Sequence, residues 1–238
     1  MSRKSLIIGA SGDIGFAISK KLGWMGNQLI LHYNKNKQMI RSLEEELPNE
    51  QIIHVVQGDL TYKEGLQSFL EKLPHDVDHV IFASGITHFG LFQEMTDQDM
   101  DEMLSLHVKS PWKITQKLLP NMIRKKYGKI ILITSIWGDI GASCEVAYST
   151  VKGGQNTFVQ ALAKELGPSG IMVNGVSPGF IETKMNQHLS EEEQQMIIEE
   201  IPMQRKGKPE EVANAVGFLL SDQSSYINGE IIRINGAW

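Results

Sequence analysis

The chain opens with a short apolar strand that runs straight into a glycine turn, and this unit narrows the possible folds more than any other. Ser5 to Gly9 reads as strand, Gly9-Ala10-Ser11-Gly12-Asp13-Ile14-Gly15 as turn, and an amphipathic helix follows to about Met25. Glycine allows a sharp turn and lets backbone approach a ligand with no Cβ in the way. Strand, turn and helix in that order aim N–H groups and a helix N-terminus at one point, which suits a pyrophosphate. Asp13 also has the plainer reading of a helix cap. The alternation then repeats. Strands are predicted at 28–33, 52–57, 79–83, 129–134, 172–177 and 230–234. Helices are predicted at 37–47, 62–73, 145–166 and 209–221, with another opened by the capping pair Ser190 and Glu193. Thr96-Asp97-Gln98-Asp99 caps a long helix to about Tyr127, which Pro111 should bend or restart. Such a chain predicts an α/β fold: a doubly wound parallel sheet with helices on both faces, in one domain spanning 1–238.

In such a sheet, ligands bind beyond the carboxyl ends of the strands. The glycine turn, Asp59, Ser84-Gly85, Ser135 and Pro178-Gly179 all fall there, which points to a dinucleotide enzyme rather than a binding module. Asp59 can accept from an adenine amino group or cap the next helix. The second strand ends in His32-Tyr33-Asn34-Lys35-Asn36-Lys37, without the carboxylate that grips an adenosine ribose in NAD sites. Two lysines there attract a 2′-phosphate, so NADPH is expected over NADH; a solvated loop is the competing reading. Tyr148 and Lys152 are four apart, on one face if that segment is helical. A free tyrosine is a poor acid–base group at neutral pH, and a nearby ammonium is expected to pull its pKa down. Tyr148 can then exchange a proton with an alcohol or alkoxide, with Ser135 hydrogen-bonded to the same oxygen.

Composition excludes several classes. The 238 residues carry a formal charge of −5, and Arg124-Lys125-Lys126, the one basic run, reads as a helix end rather than a nucleic-acid site. A single cysteine, Cys144, rules out a disulfide framework. His75 and His79 are four apart, but Pro74 and a strand start separate them, so no metal site is expected. Leu6 to Ala10 is too short for a signal segment, and no stretch approaches a membrane span. A soluble, cytoplasmic protein is expected.

Over essentially its whole length the chain resembles the short-chain dehydrogenase/reductases. The residues that carry the match are Gly9, Gly12, Gly15, Asp59, the Ser135…Tyr148-x-x-x-Lys152 set and Asn174 to Thr183. Gly207-Lys208-Pro209-Glu210-Glu211, Tyr226-Ile227-Asn228-Gly229 and Asn235-Gly236 are most similar to the β-ketoacyl-acyl carrier protein reductase branch. The resemblance implies a Rossmann-type fold, a homotetramer built on the two long helices flanking the serine strand, and NADPH-dependent reduction of a 3-oxoacyl thioester in fatty acid biosynthesis. It implies that Tyr148 donates the proton, Lys152 holds the nicotinamide ribose, and Ser135 orients the carbonyl. Gly9, Ser11, Gly12, Asp13, Ile14, Gly15, Asn34, Lys35, Asp59, Leu60, Ser84 and Gly85 would bind the cofactor, with Pro178, Gly179, Ile181 and Thr183 along the nicotinamide. A substrate lid is expected at about 184–206.

There are departures from the family pattern. Asp13 stands where a glycine is usual, Gly12 where a basic residue often stands, and Phe82-Ala83 replace two asparagines. His107 replaces an asparagine that acts largely through its backbone carbonyl, holding a water linked to the lysine; a histidine keeps that carbonyl, so the relay is expected to survive. Acyl carrier protein is a possible partner, docked on Arg124, Lys125 and Lys126, although Leu166 to Gly170 offers no second cation. The alternatives are a paralogue reducing another ketone, such as the aminopentanone group on a lysine of translation elongation factor P, or a polyol or alcohol dehydrogenase. A non-catalytic dinucleotide sensor is disfavoured because both Tyr148 and Lys152 are present.

Overall fold

Five consecutive residues, Lys4–Ile8, form the first strand, β1, and its last four are buried. A strand covered on both faces needs a continuous apolar run rather than alternation. In the computed structural model, which describes residues 2–48, 50–187 and 189–238, β1 lies mid-sheet. The other strands are β2 (Gln28–Tyr33), β3 (Ile52–Gln57), β4 (His79–Phe82), β5 (Gly128–Ile133), β6 (Ile171–Pro178) and β7 (Ile231–Ile234). Their order is β3-β2-β1-β4-β5-β6-β7, and every pairing is parallel. The strand order reverses between β1 and β4, where a crevice opens at the carboxyl ends.

Helices cover both faces. They are α1 (Asp13–Trp24), α2 (Lys37–Glu46), α3 (Lys63–Lys72), α4 (Asp97–Leu104), α5 (Ser110–Lys125), the short α6 (Trp137–Ile140), α7 (Val146–Leu166), α8 (Glu191–Glu200) and α9 (Pro209–Leu220). Leu6 and Ile8 of β1 join a core with Phe69, Leu118 and Val159, under α3, α5 and α7. Ile7 faces the other way, into Ile18, Leu43 and Val216 of α1, α2 and α9. The fold is the expected Rossmann-type α/β sheet.

The long helix expected after Thr96 runs on to Lys125 but changes form midway. Thr96 and Asp99 form the capping box, but Ser105–Lys109 is a π-helical turn between α4 and α5. Pro111 has no N–H to give the carbonyl four residues back, which is that of His107. That carbonyl instead accepts the side-chain amide of Gln155 at 2.7 Å. The α form resumes at Ser110, as a proline near the first turn permits. Arg124 and Lys125 close α5, and Lys126 takes the left-handed conformation at φ 52°.

Three buried histidines act as struts. His32 accepts from the Gly9 N–H at 3.2 Å and reaches the Gly58 carbonyl at 2.9 Å, tying the glycine turn to the end of β3. His79 lies between Ser5 and the Tyr127 hydroxyl. Burial lowers both to about 4 and, with the Lys152 charge opposing protonation, His107 to about 3. The unfolded chain therefore takes up these protons first, near pH 6.5. Their contribution to stability is full above that pH and is lost as pH falls toward 4. Each should remove up to about 1.4 kcal/mol per pH unit in that window. The denaturation midpoint is expected to fall steeply from pH 6.5 to 4.5, and less steeply in His79→Gln. Equal slopes for the two proteins would disprove the assignment.

Candidate active site

Ser135 lies two residues past the end of β5 and is buried. Its hydroxyl accepts from the Trp137 N–H at 3.2 Å and hydrogen-bonds the Tyr148 phenol. Tyr148 lies in the first turn of α7, and Lys152 one turn later. Gly138 lets these segments meet: a Cβ there would lie 2.7 Å from the Lys152 carbonyl carbon and 2.9 Å from the Gly153 nitrogen. Sequence reading had not singled out that contact.

Lys152 is only 3% exposed, and burial lowers it to about 7. Its ammonium donates to the Ile133 carbonyl at 2.8 Å and stands 5.4 Å from the centre of the Tyr148 ring. The expectation that this cation lowers the phenol pKa is corrected. Burial raises it above the ordinary value, the Glu145 carboxylate adds to the rise, and the Ser135 hydrogen bond opposes it. Tyr148 is therefore held protonated, as a proton donor requires.

His107 lies wholly buried beside this pair, its ring edge-to-face with Tyr148 at 5.7 Å. Its Nε2 is 2.9 Å from the Ile86 carbonyl and 3.3 Å from the Ile86 nitrogen, so it donates to the first or accepts from the N–H of the second according to the tautomer. Its Nδ1 has no partner among the described residues. The backbone carbonyl expected to hold a relay water is engaged by Gln155, a residue the sequence reading did not name.

The glycine turn is tightly built. Gly9 has φ 88° and packs on Ser84, whose nitrogen would be 2.6 Å from a Cβ on Gly9. A Cβ on Gly15 would be 2.1 Å from the Gly9 carbonyl oxygen. Gly12 is the N-cap of α1, and no side chain caps the helix, so its first N–H groups remain available to an anion. Asp13 does not cap α1: it is the first helical residue, and its carboxylate accepts from the Lys184 N–H at 2.7 Å. Ser11 and Ile14 flank the turn, half-exposed.

At the far end, a cleft of about 770 Å³ runs past Asn34, Gly58, Asp59 and Gly65. Asp59 accepts from the Thr61 N–H and hydroxyl and does not cap α3, whose N-cap is Tyr62. Hydrogen bonds from Thr61 and Asn34 and the Lys35 charge outweigh partial burial and lower its pKa. Leu60 is buried in the core, so only its backbone can reach the cleft. A Cβ on Gly65 would lie 1.9 Å from the Asp59 carbonyl oxygen. Across the crevice, Gly85 packs near His107, and Pro178 and Gly179 end β6. Ile181 is buried against Gly207, with half-exposed Thr183 following.

The family profile described as Enoyl-(Acyl carrier protein) reductase matches residues 9–237. The chain is also 39% identical to the 3-oxoacyl-[acyl-carrier-protein] reductase FabG of Aquifex aeolicus, over 98% of this chain and 95% of the relative. The chain belongs to the short-chain dehydrogenase/reductase family. It is 44% identical to the family's oxidoreductase YmfI of Bacillus subtilis, over 100% of this chain and 99% of the relative. The crystal structure of a 3-oxoacyl (acyl-carrier-protein) reductase from Agrobacterium tumefaciens C58 with NADP bound superposes with a TM-score of 0.90 at 25% identity, covering 99% of this chain and 94% of that one. This short-chain dehydrogenase/reductase is an NAD(P)-dependent oxidoreductase.

Proposed function

We propose that this enzyme reduces a ketone to a secondary alcohol with NADPH, a 3-oxoacyl thioester being the leading substrate class. The observation that carries the reaction is the half-buried Tyr148, its phenol hydrogen-bonded to Ser135 and held protonated, one turn from Lys152. NADPH supplies the hydride. Tyr148 gives its proton to the carbonyl oxygen, which Ser135 positions. Lys152 holds the ribose beside them, and His107 supports the pair from below.

Gly9, Ser11, Gly12, Asp13, Ile14 and Gly15 form the pyrophosphate turn, and the uncapped start of α1 supports this. Asn34 and Lys35 meet the 2′-phosphate, Asp59 and the backbone of Leu60 the adenine, and Ser84 and Gly85 the ribose side. Pro178, Gly179, Ile181 and Thr183 follow the nicotinamide. Residues 184–206, of which residue 188 lies outside the described residues, form the substrate lid of a single domain, 1–238. An Asn34→Asp variant places a carboxylate where the phosphate would sit, and should lower kcat/KM for NADPH by about tenfold to a hundredfold while sparing NADH. Equal effects on both cofactors would remove Asn34 from that role.

Exposed Leu104, Trp112 and Ile123 on α4 and α5, with Trp112 against Phe158 of α7, support a homotetramer built on these helices. Among the described residues no helix is long and apolar enough to cross a membrane. A cytoplasmic role in fatty acid biosynthesis is in keeping with that and with the names of the relatives. The carrier-protein patch has less support. Lys125 is engaged by Asp76 and Asp78, leaving Arg124 and Lys126. That favours, as a second reading, a ketone not delivered by acyl carrier protein. The deciding experiment follows NADPH oxidation with a short 3-oxoacyl thioester, free and carrier-bound. Turnover enhanced by the carrier supports the first reading. No turnover of either, with tight NADPH binding, directs the search to another ketone.

A further inference from the structure

One hydrogen bond joins the glycine turn to the start of the lid, between residues 171 positions apart. The lid leaves the sheet after β6, and its stem is stapled at the base. The Gly207 N–H donates to the Phe180 carbonyl at 2.9 Å, and the Glu182 N–H to the Gly207 carbonyl at 2.9 Å. Beyond the staple, Lys184–Asn186 form a single 3₁₀ turn, and its N-cap residue Thr183 makes no side-chain cap bond. The turn's own bonds run from the Asn186 and Gln187 N–H groups to the Thr183 and Lys184 carbonyls, which leaves the Lys184 N–H without a partner inside the turn. One helical turn fixes several residues for very few hydrogen bonds and does not persist alone. Two side chains hold this one. Asn186 ties it to its own stem, donating to the Ile181 carbonyl at 2.7 Å, and the Asp13 carboxylate takes the Lys184 N–H at 2.7 Å.

Asp13 can make that bond because it is the first residue of α1 and not its cap, a place where the helix N-terminus favours a negative charge. Turned to Lys184, the carboxylate leaves the first N–H groups of α1 open to an anion. A hollow of about 290 Å³ lies among Asp13, Thr183, Gln194 of α8 and Lys206, so packing contributes little to the join between α1 and the lid. The hydrogen bond is what holds it. A carboxylate beside a pyrophosphate seat also costs affinity by repulsion. A lid already seated offsets that cost, because ordering it no longer falls on the binding step.

We propose that Asp13 is a positioning residue: it caps the lid's first turn from across the crevice and so sets Ile181 and Thr183 against the glycine turn before a ketone binds. The inference rests on the dinucleotide reading of the crevice and adds to it the dependence of the lid on one carboxylate. With the tie in place, the pyrophosphate and nicotinamide ends of the site keep a fixed separation. Without it, each turnover must first order the turn at 184–186. NADPH then leaves faster, and the ketone KM rises by more than kcat falls.

Hydrogen exchange of the peptide spanning 181–187 tests the cap without ligand or turnover, in the wild type, Asp13→Ala and Asp13→Asn. The asparagine keeps an oxygen that can accept from Lys184. Exchange should quicken by about tenfold or more in Asp13→Ala and stay within about threefold of the wild type in Asp13→Asn. A peptide covering β5 is the reference. If it quickens equally in Asp13→Ala, Asp13 serves global stability and the proposal fails. Unchanged exchange in Asp13→Ala, or equal quickening in both variants, also overturns it. Stopped-flow displacement of bound NADPH then reads the link to the cofactor, and its dissociation rate should rise by about tenfold in Asp13→Ala. Faster exchange with an unchanged dissociation rate would sink the positioning role. Faster exchange in Asp13→Ala when none of the three proteins binds NADPH would support the cap, and the dinucleotide reading is then what fails.

Discussion

Replacing Tyr148 with phenylalanine should lower ketone reduction by about a hundredfold to ten-thousandfold, with a much smaller effect on NADPH binding. The size of the loss follows from the neighbours. Ser135 has no proton acidic enough to give. His107 is held neutral, its pKa near 3, and its Nε2 is engaged by the Ile86 backbone. Lys152 alone is a rival donor: its pKa is about 7, but its ammonium already donates to the Ile133 carbonyl and stands 5.4 Å from the tyrosine ring. The phenylalanine ring keeps the edge-to-face contact with His107, so the fold should be undisturbed, and a thermal melt checks that. Single-turnover decay of NADPH absorbance then reads the chemical step apart from product release. A variant within tenfold of the wild type would hand the donor role to Lys152. A variant that binds NADPH as well as the wild type but reduces the ketone only at the residual rate fits the assignment.

Much of this arrangement was legible in the sequence, for identifiable reasons. β2 and β3 form at the predicted residues because both are apolar runs bounded by turn residues. The capping boxes at Thr96 and Ser190 form because they need only four neighbouring residues. What could not be read depends on contacts distant in sequence. The π-helical turn at 105–109 reflects both Pro111 and a Gln155 amide that arrives from α7; the one signal was an amide on a helix face that proved to be buried. Gly138 and Gly65 look like ordinary glycines until the backbone each touches is in place. The spacing of Tyr148 and Lys152 gave their shared face but not the destination of the ammonium. Lys152 donates to the Ile133 carbonyl, while burial and the Glu145 charge raise the phenol pKa, opposite to the expected direction. Asp13 looked like a cap because short acidic residues favour helix starts, but its carboxylate holds the backbone of Lys184 instead, 171 positions away.

Gly15→Ala should remove both stability and dinucleotide binding, whereas Gly12→Ala should remove mainly binding. At Gly15 a Cβ would sit 2.1 Å from the Gly9 carbonyl oxygen, 2.8 Å from its carbon and 3.1 Å from the Ala10 Cα. All three are backbone atoms, so no flexible side chain can yield. Gly9 cannot retreat either. Its N–H is held by His32, its φ of 88° suits glycine, and Ser84 backs its Cα so closely that a Cβ there would be 2.6 Å from the Ser84 nitrogen. The clash is thus passed to β4 and to the buried histidine, which places Gly15→Ala in the rare class costing about 4 kcal/mol or more. At Gly12 the nearest atom to a Cβ is 3.6 Å away, an ordinary contact, and the change at an N-cap costs about 1 kcal/mol or less. The added methyl group instead stands where a pyrophosphate must approach the N–H groups of α1. Thermal melts with NADPH titration separate the two effects. Gly12→Ala is expected to melt close to the wild type and lose about tenfold or more in NADPH affinity. Gly15→Ala is expected to melt far below both. A Gly15→Ala protein with a wild-type melt would mean that the turn can open by more than 1 Å, and that the cradle is formed by the cofactor rather than for it.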